Sequence, residues 1–250
     1  MKNSSLPTGR LGGKEVVAES PSVLILGASG VLGSALADAF PKKAYRVLGT
    51  GFRHCPKTQL ALQLDATRAS EMPKIGKWID DHTSRLDVVI HCIGIAQDSL
   101  LARMSDQEWR QVVEVNLKSA YLLSKLLLPR LVKQGGGRWI FISSWAGRTG
   151  RSGQANYAAA KAGLIGLTQS MAREYASRGV VINCVVPGVF KSPMTERLSQ
   201  TMLERLWGGA ALKQFADLNE IVQFIVHLAG MRGVTGQVFQ LDGRIAPVLE

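Results

Sequence analysis

The 250-residue sequence lacks the features that mark secreted, membrane-spanning and metal-binding proteins. Its three cysteines, Cys55, Cys92 and Cys184, are scattered without metal-ligand spacing, so they indicate neither a disulfide framework nor a zinc site. No apolar run reaches the roughly 18 residues that a membrane helix needs. The N-terminus carries Lys2 but no hydrophobic segment of the kind found in secretory signals. We therefore expect a cytoplasmic protein with no metal and no membrane partner.

Acidic residues are also scarce. The chain has 30 Lys and Arg against 19 Asp and Glu, which gives a formal net charge of +11. This excess favours acidic partners such as phosphorylated cofactors, acidic carrier proteins or nucleic acid. Because the basic residues form no long run and no stripe interleaved with aromatic residues, nucleic-acid binding is not expected to be the main function.

The composition, with 46% hydrophobic and 20% charged residues, fits one soluble domain. Residues 1–20 show no sustained periodicity and are predicted to be a flexible N-terminal extension, which leaves 21–250 as the domain. There, short apolar runs alternate with helical patterns, which predicts an α/β fold: a single-domain, Rossmann-like, doubly wound parallel sheet of seven strands with helices on both faces. The predicted strands are 23–26, 46–49, 60–64, 86–93, 139–142, 180–186 and 238–241. The predicted helices are 31–40, 71–82, 107–133, 156–177, 194–206 and 218–228.

A glycine-rich turn joins the first predicted strand to the first predicted helix. Small residues in such a turn let backbone N–H groups approach a pyrophosphate at the positive end of the helix. The sequence therefore predicts a dinucleotide site here. Its residues are Gly27, Ser29, Gly30, Leu32 and Gly33.

Tyr157 and Lys161 are four residues apart in a predicted helix, which places both side chains on one face. A phenol with a pKa of about 10 is a poor acid or base at neutral pH, and a nearby cation stabilises the phenolate. We therefore expect Lys161 to lower the pKa of Tyr157 and Tyr157 to transfer a proton. Ser144 and Asn116 lie upstream at ordered positions. The four residues together indicate a nicotinamide-dependent carbonyl reductase.

These motifs resemble those of the short-chain dehydrogenase/reductase family, and most of all its 3-oxoacyl-acyl-carrier-protein reductases. The resemblance runs from Ser22 to about Gly243. Its most specific stretch is Gly153-Gln-Ala-Asn-Tyr157-Ala-Ala-Ala-Lys161, followed by Asn183-Cys-Val-Val-Pro-Gly188. The family implies a catalytic tetrad of Asn116, Ser144, Tyr157 and Lys161.

The resemblance also implies a role for each residue of the tetrad. Tyr157 would protonate the carbonyl oxygen while hydride arrives from the nicotinamide, and Ser144 would hydrogen-bond that oxygen. Lys161 would bind the nicotinamide ribose, and Asn116 would hold a water that leads to solvent. The segment expected to contact the nicotinamide carboxamide contains Pro187, Gly188, Phe190 and Ser192.

The cofactor half departs from the family pattern. The glycines are spaced as in atypical branches, and His91-Cys92-Ile93-Gly94 replaces the usual Asn-Asn-Ala-Gly after the fourth strand. We expect Cys92, Ile93 and Gly94 to line the cofactor site and His91 to be structural. Asp65, followed by Ala66, matches the family's aspartate near the adenine.

Only about ten residues, 50–59, separate the second and third predicted strands, so the helix usual there is expected to be shortened or missing. Thr50 occupies the position at which members that prefer NAD often carry an acidic residue. Without that carboxylate nothing repels a 2′-phosphate, and Arg53 could bind it with two hydrogen bonds. The sequence therefore favours NADPH as the cofactor, with NADH as the alternative.

Basic residues flank the predicted catalytic residues and favour an anionic substrate or an acyl group on an acidic carrier protein. Arg178 matches a reductase position implicated in carrier docking, to which Lys133 and Arg138 could add. The flanking residues are Arg148, Arg151, Lys191, Arg197, Arg205 and Lys213.

The expected reaction is reduction of a 3-oxoacyl group on acyl carrier protein to the 3-hydroxyacyl product, in fatty acid or specialised acyl-chain synthesis. Two alternatives stay open. One is a short-chain dehydrogenase for another alcohol or ketone, such as a sugar, steroid or polyketide. The other is a protein that binds a dinucleotide without turnover, which the complete tetrad disfavours. By resemblance, the helices that begin near Gln107 and Asn156 would pair across a dimer, commonly within a homotetramer.

Overall fold

A computed structural model of the protein describes residues 20–192, 195–196, 199–207 and 210–244. The predicted N-terminal extension lies outside this range except for its last residue. Arg197 and the start of the predicted helix at 194 also lie outside it, as does the side chain of Arg205.

The core of the protein is one parallel sheet of seven strands, which confirms the predicted fold class. The strand order is β3-β2-β1-β4-β5-β6-β7, so the order reverses between β1 and β4. Ligands of open parallel sheets bind beyond the carboxyl ends of the strands at such a reversal. The strands are β1 (Ser22–Leu26), β2 (Arg46–Gly51), β3 (Leu60–Gln63), β4 (Val88–His91), β5 (Gly137–Ile142), β6 (Val180–Pro187) and β7 (Val238–Leu241).

Helices cover both faces of the sheet, so the central strands are buried on both sides and read as continuous apolar runs. Each face of the sheet carries a hydrophobic core, and alternate residues of β1 belong to different cores. Leu24 packs with α2, α4 and α6, and Ile25 packs with α1 and α8. Within the described residues no helix is both long and apolar enough to cross a membrane. The helices are α1 (Val31–Ala39), α2 (Met72–His82), α3 (Asp106–Val113), α4 (Ser119–Lys133), α5 (Ala146–Thr149), α6 (Ala155–Tyr175), α7 (Gln200–Trp207) and α8 (Leu218–Gly230).

Most elements differ from their predicted bounds by one or two residues, and α7 begins at Gln200 and not at 194. Three of the differences have a clear physical cause. The helix predicted over 107–133 is two helices, α3 and α4, joined by one π-helical turn at Glu114–Lys118. Helix α6 gives way to a 3₁₀ turn at Ala176–Arg178 because Gly179, with φ of 76°, ends the helical conformation. The strand predicted over 86–93 is shorter because only Val88–His91 pairs in the sheet as β4; the charged Asp87 precedes it, and the apolar Cys92 and Ile93 follow it outside the strand.

The connection between β2 and β3 contains no helix, as the sequence predicts. Its eight residues, 52–59, fold back against the sheet. The Oε1 atom of Gln59 accepts a hydrogen bond from the backbone N–H of Val47 at 2.8 Å. A Cβ atom at Gly49 would lie 2.6 Å from the Thr58 side chain, so the loop packs directly on the strand. Side chains of the loop therefore take the place of a helix at this edge.

Candidate active site

The predicted catalytic residues meet at the carboxyl edge of the sheet. Ser144 follows β5, Tyr157 and Lys161 lie in the first turns of α6, and Asn116 lies in the π-helical turn. The chain brings all four to one place because strands β4, β5 and β6 end there and α6 begins there.

Lys161 is held in a buried position, with 4% of its surface exposed. Its Nζ atom donates a hydrogen bond to the carbonyl oxygen of Ile142, the last residue of β5, at 2.9 Å. The same Nζ lies 5.7 Å from the ring centroid of Tyr157. An ammonium has three hydrogens. The strand end therefore orients the lysine and leaves further donors for a ligand.

The pKa values of these two groups move away from their ordinary ranges. Burial raises the pKa of Tyr157, and the carboxylate of Asp98 adds to that rise, whereas hydrogen bonding with Ser144 opposes it. Burial lowers the pKa of Lys161 from 10.5 to about 8. At neutral pH the phenol is therefore protonated and suited to act as an acid. The expected lowering of the Tyr157 pKa by Lys161 is wrong for this structure: burial of the phenol outweighs the one lowering contribution, which comes from Ser144 and not from Lys161.

Asn116 is completely buried, and both hydrogens of its side-chain amide are used within the protein. The Nδ2 atom donates to the carbonyl oxygens of Ile95 and Val112, each at 2.8 Å. Because both partners are acceptors, the identity of the amide nitrogen is fixed by chemistry. The Oδ1 atom remains, and among the described residues it has no hydrogen-bond partner.

The polar ends of Asn116 and Lys161 converge beside Gly94. A Cβ atom at Gly94 would lie 2.7 Å from Asn116 Oδ1 and 3.2 Å from Lys161 Nζ. An unpaired carbonyl oxygen and a buried ammonium therefore both lie against this glycine. A side chain at position 94 would press on both groups.

The glycine-rich turn is closed by the neighbouring strand. The N–H groups of Gly27 and Ala28 donate to the carbonyl oxygen of Thr50 at 3.1 and 2.8 Å. Gly27 has a φ of 86°, a conformation that favours glycine. A Cβ at Gly33 would lie 2.3 Å from the carbonyl oxygen of Gly27, so this glycine lets α1 pack against the turn.

The first turn of α1 is open to an anion. Its N-cap residue, Gly30, provides no side-chain cap, and the first turn contains no acidic residue. Ser29, Gly30 and Val31 are exposed. The N–H groups at this end are therefore available for a phosphate group. Together with Asn116 Oδ1 and Lys161, this end of α1 fits a dinucleotide whose pyrophosphate sits at the helix and whose ribose lies near the ammonium.

The other predicted cofactor residues take up varied positions. Arg53 is exposed beyond β2 and makes no ion pair with any described residue. Asp65 accepts hydrogen bonds from the N–H and the hydroxyl of Thr67 and forms an ion pair with Arg68. Burial alone would raise the pKa of Asp65, but these interactions outweigh burial, so the pKa is lowered. Ala66 is buried, and the Leu32 side chain packs in the core, so at position 32 only the backbone faces the turn.

The segments after β4 and β6 line the same edge. The N–H of Cys92 donates to Leu26, and that of Gly188 donates to Leu241. Phe190 packs partly against the core beside α8. The predicted residues that lie at this edge are Cys92, Ile93 and Gly94 after β4, Pro187 at the end of β6, and Gly188, Phe190 and Ser192 beyond it.

The sequence analysis did not single out Asn156, which orients the tyrosine. Its Oδ1 atom accepts a hydrogen bond from the backbone N–H of Tyr157 at 2.7 Å. Its Nδ2 atom donates to the carbonyl oxygens of Gln97 and Glu108. The N-cap residue of α6 is Gln154 and Asn156 lies inside the helix, so no capping pattern in the sequence indicates this bond.

A second unpredicted cluster anchors the loop after Ser144. The Arg244 guanidinium stacks over the Trp145 ring at 5.0 Å and forms a buried ion pair with Asp242 at 2.6 Å. Arg148, predicted to face the substrate, instead donates to Oε1 of Gln240 at 2.8 Å. The loop is therefore tied to the end of β7.

The basic residues predicted for carrier docking divide between the two edges of the sheet. Arg151, Lys191 and Lys213 are exposed on segments that follow the carboxyl ends of strands. Arg178, by contrast, lies beyond the far end of α6, whose 21 residues span about 31 Å from the turn that carries Tyr157. Arg178 is thus remote from the tyrosine of its own chain.

The described part of the chain contains no cluster of three or more His, Cys, Asp or Glu residues placed to hold a metal ion. The three cysteines are free. Burial raises the pKa of Cys92 to about 12 and that of Cys184 to about 11, which leaves both thiols protonated at neutral pH.

Comparisons with known proteins agree with this geometry. Residues 21–203 match the short chain dehydrogenase family. The chain is 34% identical to the 3-oxoacyl-acyl-carrier-protein reductase FabG of Vibrio harveyi over 236 residues, 90% of this chain and 97% of that protein. It is 33% identical to FabG of Escherichia coli over the same lengths. It is 38% identical to the 3-oxoacyl-acyl-carrier-protein reductase of Synechocystis over 184 residues, 74% of each chain.

Proposed function

Because the chain belongs to the short-chain dehydrogenase family, we propose that it reduces 3-oxoacyl groups on acyl carrier protein to 3-hydroxyacyl groups, with NADPH as the reductant. The observation that carries the proposal is the meeting of Ser144, Tyr157, Lys161 and Asn116 at the carboxyl edge of the sheet. Similarity to 3-oxoacyl-acyl-carrier-protein reductases over 90% of the chain supports the choice of substrate.

In the proposed reaction the substrate carbonyl oxygen lies between Ser144 and Tyr157. The Ser144 hydroxyl donates a hydrogen bond to that oxygen, and the buried phenol of Tyr157 donates the proton that completes the alcohol. The nicotinamide supplies the hydride. The Lys161 ammonium binds the ribose hydroxyls, and Asn116 Oδ1 holds a water beside it through which the phenol regains its proton.

The family uses a nicotinamide dinucleotide, and the choice of NADPH depends on the end of β2. Thr50 is buried and its carbonyl oxygen closes the glycine turn, so no carboxylate occupies the place that would repel a 2′-phosphate. Arg53 is exposed two residues beyond β2 and makes no ion pair within the described chain. Its guanidinium can bind a phosphate with two parallel hydrogen bonds.

The proposed partner is an acidic carrier protein in the cytoplasm, which the net charge of +11 favours. Arg151, Lys191 and Lys213 lie on the side of the sheet where the substrate would enter. If Arg178 also contacts the carrier, the active site it serves belongs to another subunit. The proposed assembly is a homotetramer or homodimer in which α4 and α6 pair between chains.

The direct test follows absorbance at 340 nm with purified protein, an acetoacetyl thioester, and NADPH or NADH. We expect turnover with NADPH and a loss of at least about 1,000-fold in kcat for Tyr157→Phe, since general acid catalysis contributes factors of this size. Turnover with other ketones but with no thioester would reject the substrate. No turnover with any ketone, despite cofactor binding, would reject the activity.

Cofactor choice has its own test in Arg53→Glu. We expect the KM for NADPH to rise about 10- to 100-fold, as for loss of a charged hydrogen-bond pair, while the KM for NADH changes little. Lys57→Glu, in the same exposed loop, is the control for the change in net charge. Equal effects on both cofactors would remove Arg53 from this role.

A further inference from the structure

His91 is buried at the end of β4 and has no assigned role. None of its surface is exposed. Its ring packs beside that of Phe141 on the neighbouring strand, with centroids 5.8 Å apart. Its Nε2 atom lies 3.2 Å from the hydroxyl oxygen of Ser119, the first residue of α4. The histidine therefore connects the sheet to the start of the helix that follows Asn116.

Hydrogen counting fixes which ring nitrogen carries the proton. The Ser119 hydroxyl has one hydrogen, and it donates that hydrogen to the carbonyl oxygen of Val115 at 2.6 Å. Toward His91 the hydroxyl can then only accept, so Nε2 must be the protonated nitrogen. Nδ1 is left as a bare acceptor, and it has no partner among the described residues.

The neutral ring is the form that the surroundings favour. Burial, together with the charge of Lys161, lowers the pKa of His91 from 6.5 to about 3. The imidazole is therefore neutral at neutral pH, and its single N–H stays committed to Ser119.

The π-helical turn leaves the carbonyl oxygen of Val115 without its usual backbone donor, and the Ser119 hydroxyl replaces that donor. The backbone N–H of Ser119 donates to the carbonyl oxygen of Glu114, five residues back, and not to that of Val115, as an α-helix would require. The side-chain hydroxyl takes over the bond to Val115. Asn116 lies in the same turn, and its side-chain amide donates a similar bond to the carbonyl oxygen of Val112.

We infer that His91 is a positioning residue: its Nε2–H holds the Ser119 hydroxyl on the Val115 carbonyl and so stabilises the π-helical turn that holds Asn116 Oδ1 beside Gly94 and Lys161. The inference rests on the proposed function for its effect on turnover. The geometry itself depends only on the hydrogen-bond chain from β4 to α4.

The activity test compares two replacements at position 91. Gln can place an N–H donor near the position of Nε2, whereas Leu fills similar space without a donor. We expect His91→Leu to lower kcat at least 10-fold with the cofactor KM changed less than twofold, and His91→Gln to recover most of the loss. Equal kcat in wild type and His91→Leu, or equal losses in the two variants, would overturn the inference.

Ser119 supplies an independent check of the chain. Ser119→Ala removes the hydroxyl. We expect it to lower kcat by the same factor as His91→Leu does, to within about threefold. The double variant should be no worse than either single one, because the two residues act through one chain. Additive losses would show separate roles and reject the chain. Thermal unfolding of each variant separates a loss of kcat from a loss of folded protein.

A readout without turnover keeps the inference separate from the proposed function. In ¹⁵N-labelled protein, His91 should show the Nε2–H tautomer from pH 5 to pH 9, with its signal identified by its absence in His91→Gln. The Asn116 side-chain amide signals, assigned with Asn116→Asp, should shift in His91→Leu and stay near their original positions in His91→Gln. An Nδ1–H tautomer would overturn the inference even if the enzyme is active, and the expected spectra would support it even if no thioester is reduced.

Discussion

The two halves of the protein hold their functional groups by opposite means. In the catalytic half, buried side chains make the bonds: Lys161 binds the end of β5, Asn116 binds two carbonyl groups, and Asn156 binds the N–H of Tyr157. In the cofactor half, between β1 and β3, the site is formed mainly by backbone groups and by glycines such as Gly33 that leave room for them. In the proposed function, catalysis therefore depends on which side chains are present, and cofactor binding depends largely on where side chains are missing.

The largest expected effect lies in the cofactor half, at Gly33. In Gly33→Ala the new Cβ would meet backbone atoms of Gly27 and Ala28 at 2.3 and 2.9 Å, so α1 must move. We expect a loss of about 3 kcal/mol in the free energy of unfolding, measured by urea denaturation, as for severe overpacking.

Gly30→Ala is the matched control, because its Cβ would meet only Gly27 at an ordinary 3.5 Å. It should cost less than about 1 kcal/mol of stability, the difference between Gly and Ala at an N-cap. Its cofactor affinity should nevertheless fall about tenfold, since the methyl group stands where a pyrophosphate approaches. Equal losses of stability at the two positions would contradict the packing explanation.

Gly94 lies where the catalytic and cofactor halves meet, so its replacement tests the contact between them. In Gly94→Ala the Cβ would press on Asn116 Oδ1 and Lys161 Nζ at 2.7 and 3.2 Å. We expect kcat to fall about 10- to 100-fold, because displacing catalytic groups by a fraction of an ångström has effects of this size. Steady-state kinetics at saturating cofactor checks this, and an unchanged kcat would mean that the placement of these two groups beside Gly94 has no part in catalysis.

The pH dependence of cofactor binding reports on Lys161. Burial lowers its pKa to about 8, so the ammonium is intact below that pH and is lost above it. We expect the cofactor dissociation constant, measured by fluorescence, to rise about tenfold from pH 7 to pH 9, the loss of roughly one charged hydrogen bond. Lys161→Met should bind weakly at both values with no such rise. A rise of the same size in that variant would assign the titration to another group.

The smallest expected effect concerns the loop that replaces a helix. Gln59→Ala removes the acceptor for the buried N–H of Val47. Leaving that donor unpaired should cost about 1 kcal/mol of stability without changing kcat. Lys57→Ala, an exposed neighbour, serves as the control and should be neutral. A neutral Gln59→Ala would show that water replaces the side chain.

The sequence predicts the fold well because burial on both faces of the sheet leaves apolar runs at every central strand. The missing helix after β2 follows from counting residues between two such runs. The pairing of Tyr157 with Lys161 follows from side-chain chemistry at fixed spacing, whereas the full tetrad follows from the family resemblance. All four of its residues meet in the structure. That Asn116 and Ser144 lie close to Tyr157 could be expected because the strands and helices involved end or begin at one edge.

Other features of the structure could not be predicted from any sequence pattern. The π-helical turn at Glu114–Lys118 contains no Pro or Gly that would mark an interruption of the helix, and the side chains of Asn116 and Ser119 donate to the backbone carbonyl groups of Val112 and Val115. The stacking of Arg244 on Trp145 joins residues about a hundred positions apart. Such contacts depend on how β5 and β7 are spaced in the folded sheet, which neither periodicity nor composition encodes.

The short connection after β2 has a consequence for the folding process. Parallel strands usually pair only after a crossover of a dozen or more residues, so each pairing closes a long loop. Here eight residues, 52–59, separate β2 from β3. The entropy lost in joining these two strands is correspondingly small, and contacts of low sequence separation form fastest. The edge of the sheet that lacks a helix is therefore where we expect strand pairing to nucleate, before β4 to β7 assemble beside β1.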